Sequence, residues 1–170
     1  MNKILSSAIT LFGMLIALPT QAQVGNGSYA LTLDLAIEAA REAVRSCEVS
    51  GYKVSVVVVD PSGLIKVHLK GDHSVVHTKD TAFRKAYTAV TMGPIFNLET
   101  GTQFAAFLKT NPNALSFLTI PNIISLPGSI AIKAKGQIVG AIGVGGAPGG
   151  EKDEVCAQAG VTKILKKLPK

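Results

Sequence analysis

Tyr52-Lys53-Val54-Ser55-Val56-Val57-Val58-Val59-Asp60-Pro61-Ser62-Gly63-Leu64-Ile65-Lys66-Val67-His68-Leu69 is the stretch on which the fold turns. From Tyr52 to Val59 the chain is rich in β-branched residues, which suit a pleated, extended backbone. Asp60-Pro61-Ser62-Gly63 is turn chemistry, and beyond it apolar residues alternate with Lys66, His68 and Lys70. A continuous valine run predicts a strand buried on both faces, and alternation predicts a strand with one wet face. Together they predict an antiparallel β-hairpin with one strand more buried than the other.

Upstream of the hairpin, Thr32 is placed to cap a helix whose apolar positions Leu35, Ala36, Ala39, Ala40, Ala43, Val44 and Cys47 form one stripe, and Gly51 stops it. Downstream, Val76 to Met92 reads as a helix with Ala82, Ala86, Ala89 and Val90 on one side, ended by Gly93-Pro94. A third helix is expected over Phe96 to Lys109. The apolar segment Ala114 to Leu126, interrupted by Pro121, is assigned strand content. Ser129 to Lys133 and Gln137 to Val144 predict a second hairpin around Ala134-Lys135-Gly136. A Gly/Pro-rich loop, Gly145 to Gly150, then leads into a last helix with acidic residues first and lysines last, as the helix dipole favours. The expected order is α-β-β-α-α-β-β-α with an extra short strand. That is an α/β fold of the α+β type: an antiparallel β-sheet of about five strands covered by helices.

The 170 residues begin with Met1-Asn2-Lys3, an apolar run from Ile4 to Leu18, and Pro19-Thr20-Gln21-Ala22. This pattern predicts an export signal over residues 1–22, too short in its apolar part for a membrane span of about 20 residues. Residues 23–170 are then one domain of a secreted or periplasmic protein. Loss of the signal removes only Lys3 and brings the formal charge from +6 to +5. The excess suits an anionic ligand or surface, or simply a solubilising exterior with the basic tail Lys163, Lys166, Lys167 and Lys170. Without Trp, and without a basic run interleaved with aromatics, nucleic acid is not an expected partner.

Cys47 and Cys156 fall on the first and last helices. Export makes a disulfide between them the expectation, with two buried free thiols as the alternative. His73 and His77 are four apart, a spacing that suits a metal only if both lie on the helix, and Gly71-Asp72 places His73 in a loop. No Gly-x-Ser-x-Gly nucleophile motif is present, and neither cysteine has a catalytic signature, so no catalytic residue is assigned. Lys85 shares one side of an alanine-rich helix with Ala82 and Thr88. It is either a snorkelling surface lysine or a cation placed in a cleft.

The motifs Leu69-Lys70-Gly71-Asp72, His77-Thr78, Arg84-Lys85-Ala86-Tyr87-Thr88-Ala89 and Gly140-Ala141-Ile142-Gly143-Val144-Gly145-Gly146-Ala147-Pro148, with Asp153-Glu154 after them, resemble the GlcG/HbpS family from Leu31 to about Leu165. The resemblance implies a compact α/β domain with an antiparallel sheet, usually a homo-oligomer, some exported members of which bind haem. It also implies links to cobalamin-related enzymes and small-acid metabolism, so a small-organic-acid enzyme or accessory is the alternative function, and a structural oligomeric module a further one. Asp72-His73-Ser74 and Gly128-Ser129-Ile130-Ala131 depart from the family's common Asp-Gly-Ala and Gly-Gly-x-Pro.

Non-covalent haem is accordingly the expected cofactor, for which an apolar slot, an axial ligand and cations for the propionates are required. Val90, Met92, Phe96 and Phe104 are the candidates for the slot. His77, or His73, is the candidate iron ligand; the other reading of His77 is a helix cap. The expected ligand-binding residues are His77, Arg84, Lys85, Thr88, Pro94 and Phe96. They are placed around the first half of the second helix, the Gly93-Pro94 bend and the loop after Val144, and Arg84 or Lys85 would pair with propionates.

Overall fold

A computed structural model describes residues 29–170, and the expected export signal lies outside the described residues. Helix α1 (Leu33–Val49) is followed by strands β1 (Ser55–Val59) and β2 (Ile65–Lys70), then by helices α2 (Thr78–Phe96), α3 (Gly101–Thr110) and α4 (Ala114–Thr119). Strands β3 (Ser129–Ala134) and β4 (Gln137–Gly145) and helix α5 (Gly150–Ile164) complete the domain, with a 3-10 turn at Leu165–Lys167. The sheet order is β2-β1-β4-β3, antiparallel throughout.

The valine strand β1 occupies the centre, between β2 and β4, and every one of its residues is buried. Its alternation divides the core. Val56 and Val58 join Ile132, Ile142 and Val144 beneath α1 and α5, whereas Val57, Val59 and Ala141 pack against Ala82, Ala86, Ala89 and Val90 of α2. Both hairpins form where turn chemistry predicts them. Asp60 Oδ1 accepts from the N–H groups of Ser62 and Leu64 at 2.8 and 3.0 Å. Lys135 and Gly136 both adopt positive φ, the geometry a two-residue hairpin turn requires. Helix α2 lies directly on β4 because Gly143 has no side chain: a Cβ there would collide with Ala82 O and Ala86 N.

Two expectations change. The sheet has four strands rather than about five, because Ala114–Thr119 is a helix and the chain after it packs on α2 instead of a sheet edge. Ile123, 1% exposed, fills a cluster with Met92, Phe104 and Leu108. Helix α2 begins at Thr78 and continues through Gly93-Pro94 to Phe96. A residue before proline resists the α conformation chiefly through its Cβ, which Gly93 lacks, and Asn97 closes the helix at φ 54° with Leu98 N–H donating to Gly93 O. The alanines of α1 and α2 are consumed in packing within the chain.

The cysteine expectation holds. Cys47 and Cys156 form a disulfide, with their Cα atoms 5.5 Å apart, between helices that lie side by side on one face of the sheet.

Candidate functional site

A cleft of about 400 Å³ opens where the start of α2, the end of β4 and the start of α5 converge, lined by Val75, His77, Thr81, Lys85, Leu126, Gly146, Ala147, Gly149, Gly150 and Asp153. Its wall toward α5 is largely backbone, since of the lining residues Gly146, Ala147, Gly149 and Gly150 only Ala147 has a side chain, with φ of 137° at Gly146 and 133° at Gly149. Such bare backbone admits a ligand closely. Two apolar side chains stand at its rim, Val75 at 54% and Leu126 at 49% exposed.

His77 stands exposed beside this cleft at the N-cap position of α2, and its side chain makes no capping bond. Its carbonyl receives the N–H groups of Asp80 and Thr81, so the backbone begins the helix while the imidazole is left uncommitted. The turn before it is fixed from below. Thr78 donates to Val75 O at 2.6 Å and shares a buried hydroxyl cluster with Ser55 (2.8 Å), which in turn lies 3.3 Å from Ser74. His73 sits outside the helix at φ 62°, exposed, and His68 is exposed on β2. No group of three or more metal-binding side chains occurs among the described residues.

Lys85 reaches the cleft from α2 and is only 3% exposed, so it is neither a snorkelling surface residue nor free. Its ammonium donates to Asp153 Oδ2 at 2.7 Å and to Val144 O at 2.9 Å. Asp153 is equally buried, and its second oxygen accepts from Ala147 N–H at 2.9 Å. Burial pushes the Asp153 carboxyl above its ordinary value, and the Lys85 ammonium and the loop amides oppose this without cancelling it. Sequence reading assigned Asp153 to the helix dipole. Two signals of a deeper role were available: Asp153-Glu154 among the motifs of the resemblance, and a lysine set among alanines, which in a core requires a counter-charge.

The remaining expected site residues are not brought into this cleft. Arg84 donates to Ile123 O at 2.8 Å, and Thr88 accepts from Ile124 N–H at 3.0 Å, so the two hold the segment after α4 onto α2. Pro94 lines a separate cleft of about 430 Å³ with Asn97, Glu99 and Lys133. Phe96 stacks in an aromatic cluster, its ring centroid 4.4 Å from Phe107 and 5.5 Å from Phe117. Met92 and Phe104 are buried in that same cluster, away from the cleft lining. Val75, Thr81 and Leu126 line the cleft but were not singled out from the sequence.

The family model for the haem degrading protein HbpS-like group matches residues 31–162. The chain belongs to the HbpS-like family. HbpS of Streptomyces reticuli, solved as a double mutant, is 39% identical over 86% of this chain and 96% of its own, with a TM-score of 0.73. A further HbpS structure is 36% identical over 85% and 97% of the two chains, with a TM-score of 0.74. A structure of a PduOC and haem complex, 22% identical over 80% and 96%, has a TM-score of 0.71 and shares the fold. None of the curated proteins matches this chain. Parts of the motifs read between Leu69 and Glu154 meet at one end of the sheet. Gly71 abuts Val54 there, Lys85 meets Asp153, and the Gly145–Gly150 loop closes the cleft.

Proposed function

We propose that this chain binds haem or a related tetrapyrrole non-covalently in the cleft beside His77. The observation that carries the reading is an imidazole, committed to no capping bond, at a cleft rimmed by Val75 and Leu126 and walled by glycines. Of haem's three requirements, these residues supply apolar contact on its flanks and an axial donor, whereas the expected propionate partners are spent, Arg84 on Ile123 O and Lys85 on Asp153. The alternative in which Lys85 and Thr88 grip a small carboxylate loses its two groups, since Lys85 is paired with Asp153 and Thr88 is spent on Ile124. Membership of a haem-degrading family supports the same ligand. No Cys-x-x-Cys-His occurs in the sequence, so the attachment is non-covalent.

The same reading makes the protein an exported one, on the strength of the charged, apolar and small-residue pattern of its first 22 residues. It also makes it a homo-oligomer, supported by the exposed Ile95, Leu115, Leu118 and Ile120, and a monomeric mass in light scattering would exclude that state. Titration of the protein with hemin tests the ligand. A saturable Soret shift is expected for the parent, an altered spectrum for His77→Ala, and an unaltered one for His68→Ala. Equal spectra and affinities for His77→Ala and the parent would remove His77 from the site.

A further inference from the structure

At the start of β3, Gly128 and Val144 stand where an antiparallel ladder exchanges two backbone bonds. Val144 N–H donates to Gly128 O at 2.8 Å, but the return bond is replaced. Gly128 N–H turns to Glu154 Oε2 at 3.0 Å, and Val144 O accepts from Lys85 Nζ at 2.9 Å. A cation and a carboxylate occupy the place of one neutral backbone bond at the end of the sheet. Only glycine fits between them: a Cβ on residue 128 would lie 2.8 Å from both Lys85 Nζ and the Asp153 side chain.

We propose that the Lys85–Asp153 pair is the positioning device of the cleft and not its anion-binding group. Lys85 grips the loop at Val144 O before the glycines begin, and Asp153 grips it at Ala147 N–H after Gly145-Gly146. Gly145 is still held in the ladder opposite Ser55, but the chain beyond it has no side chain at Gly146 with which to anchor itself, so these two bonds fix where the loop leaves the sheet and where it meets α5. Glu154 extends the clamp by also accepting from Thr102 N–H at 2.9 Å, tying the start of α3 to the same point. An apolar pair of similar volume serves stability as well as a buried ion pair does, but it has no directional bonds with which to hold Val144 and Ala147. Ammonium and carboxylate, 2.7 Å apart, together have no net charge to offer a ligand.

This inference rests on the cleft being the ligand site, and the full chain tests it through the double variant Lys85→Met with Asp153→Leu. Urea unfolding should show stability at or above that of the parent. Amide exchange at Gly146 and Ala147 should accelerate while α1 and α5 keep their protection, and hemin should bind about tenfold more weakly with a broadened Soret band. Parent-like exchange at Gly146 and Ala147 would overturn the clamp, and faster exchange with unchanged hemin affinity would overturn its role in the site. If the parent itself gives no saturable spectrum, the haem reading fails separately, and the exchange measurement still decides whether the pair holds the loop.

Discussion

The two ends of α5 show how differently one helix is used. Toward its middle and C-terminal end, Cys156, Ala157, Val161 and Ile164 press on α1 and the sheet in a layer of small and branched apolar side chains. Gly160 lets the helices approach so closely that a Cβ there would lie 2.5 Å from Ala39 O. At its N-terminal end, Asp153 and Glu154 enter a polar junction with Lys85, Gly128, Val144 and Ala147. The first region draws its strength from burial and a covalent link, the second from a few directional bonds between groups that are costly to bury. Stability resides in one and shape in the other, and the cleft belongs to the second.

The largest effect expected from breaking this contrast is at the disulfide. For cysteines 109 positions apart in sequence, the chain-entropy model assigns the bridge about 4–5 kcal/mol. Cys47→Ala with Cys156→Ala should lower the unfolding free energy by that order while leaving the cleft intact. Denaturant unfolding monitored beside hemin titration would show whether the two regions separate in this way; a loss of hemin affinity as large as the loss of stability would show that they do not.

Lys85→Met alone should cost about 3–5 kcal/mol near neutral pH, because it leaves Asp153 buried without its counter-charge. The cost should depend on pH with a definite sign. A carboxyl whose pKa is raised by folding contributes its stability below the unfolded value and loses it as pH rises through the folded one. Burial already raises Asp153, and loss of Lys85 removes the main opposing charge. The penalty of Lys85→Met should therefore shrink as the pH is brought from about 7 toward about 4, and a penalty that grew with acidity would contradict the direction given for Asp153. The smallest effect is expected on the surface: Glu38→Gln, which removes the partner of the exposed Lys167, should change stability by less than about 1 kcal/mol.

The apolar region was the legible one. The valine run, the alternation after it and the alanine stripe of α1 have periods that a local reading detects, and the cysteine pair needed only the assignment of both residues to helices. Where the segment from Ala114 to Leu126 goes was not legible. An apolar run without a clear period suits a strand or a short helix equally, and the choice was made by the aromatic cluster on α2. Within the polar junction the members were visible but their partners were not. Lys85 and Asp153 are 68 residues apart, and each had a sufficient local explanation, a snorkelling side chain and a dipole-matched carboxylate. His77 was correctly placed at the helix start, but only coordinates show its ring making no cap. Arg84, Thr88, Pro94 and Phe96 were grouped with His77 and Lys85 along α2, and a helix turning 100° per residue carries Arg84 and Thr88 together to the segment after α4 and away from the cleft that Lys85 lines.

The sheet order carries a consequence for the making of the chain. β1, synthesised early, has β2 on one side at once, but its other neighbour is β4, and the helix that shares its covering layer with α1 is α5, the last to be made. A growing chain that ends before residue 137 therefore presents Val56 and Val58 with half of their roof missing and one ladder of β1 unpaired. The centre of the domain can close only once residues through α5 are free of the ribosome, so its elements are not expected to settle one after another in the order of their synthesis.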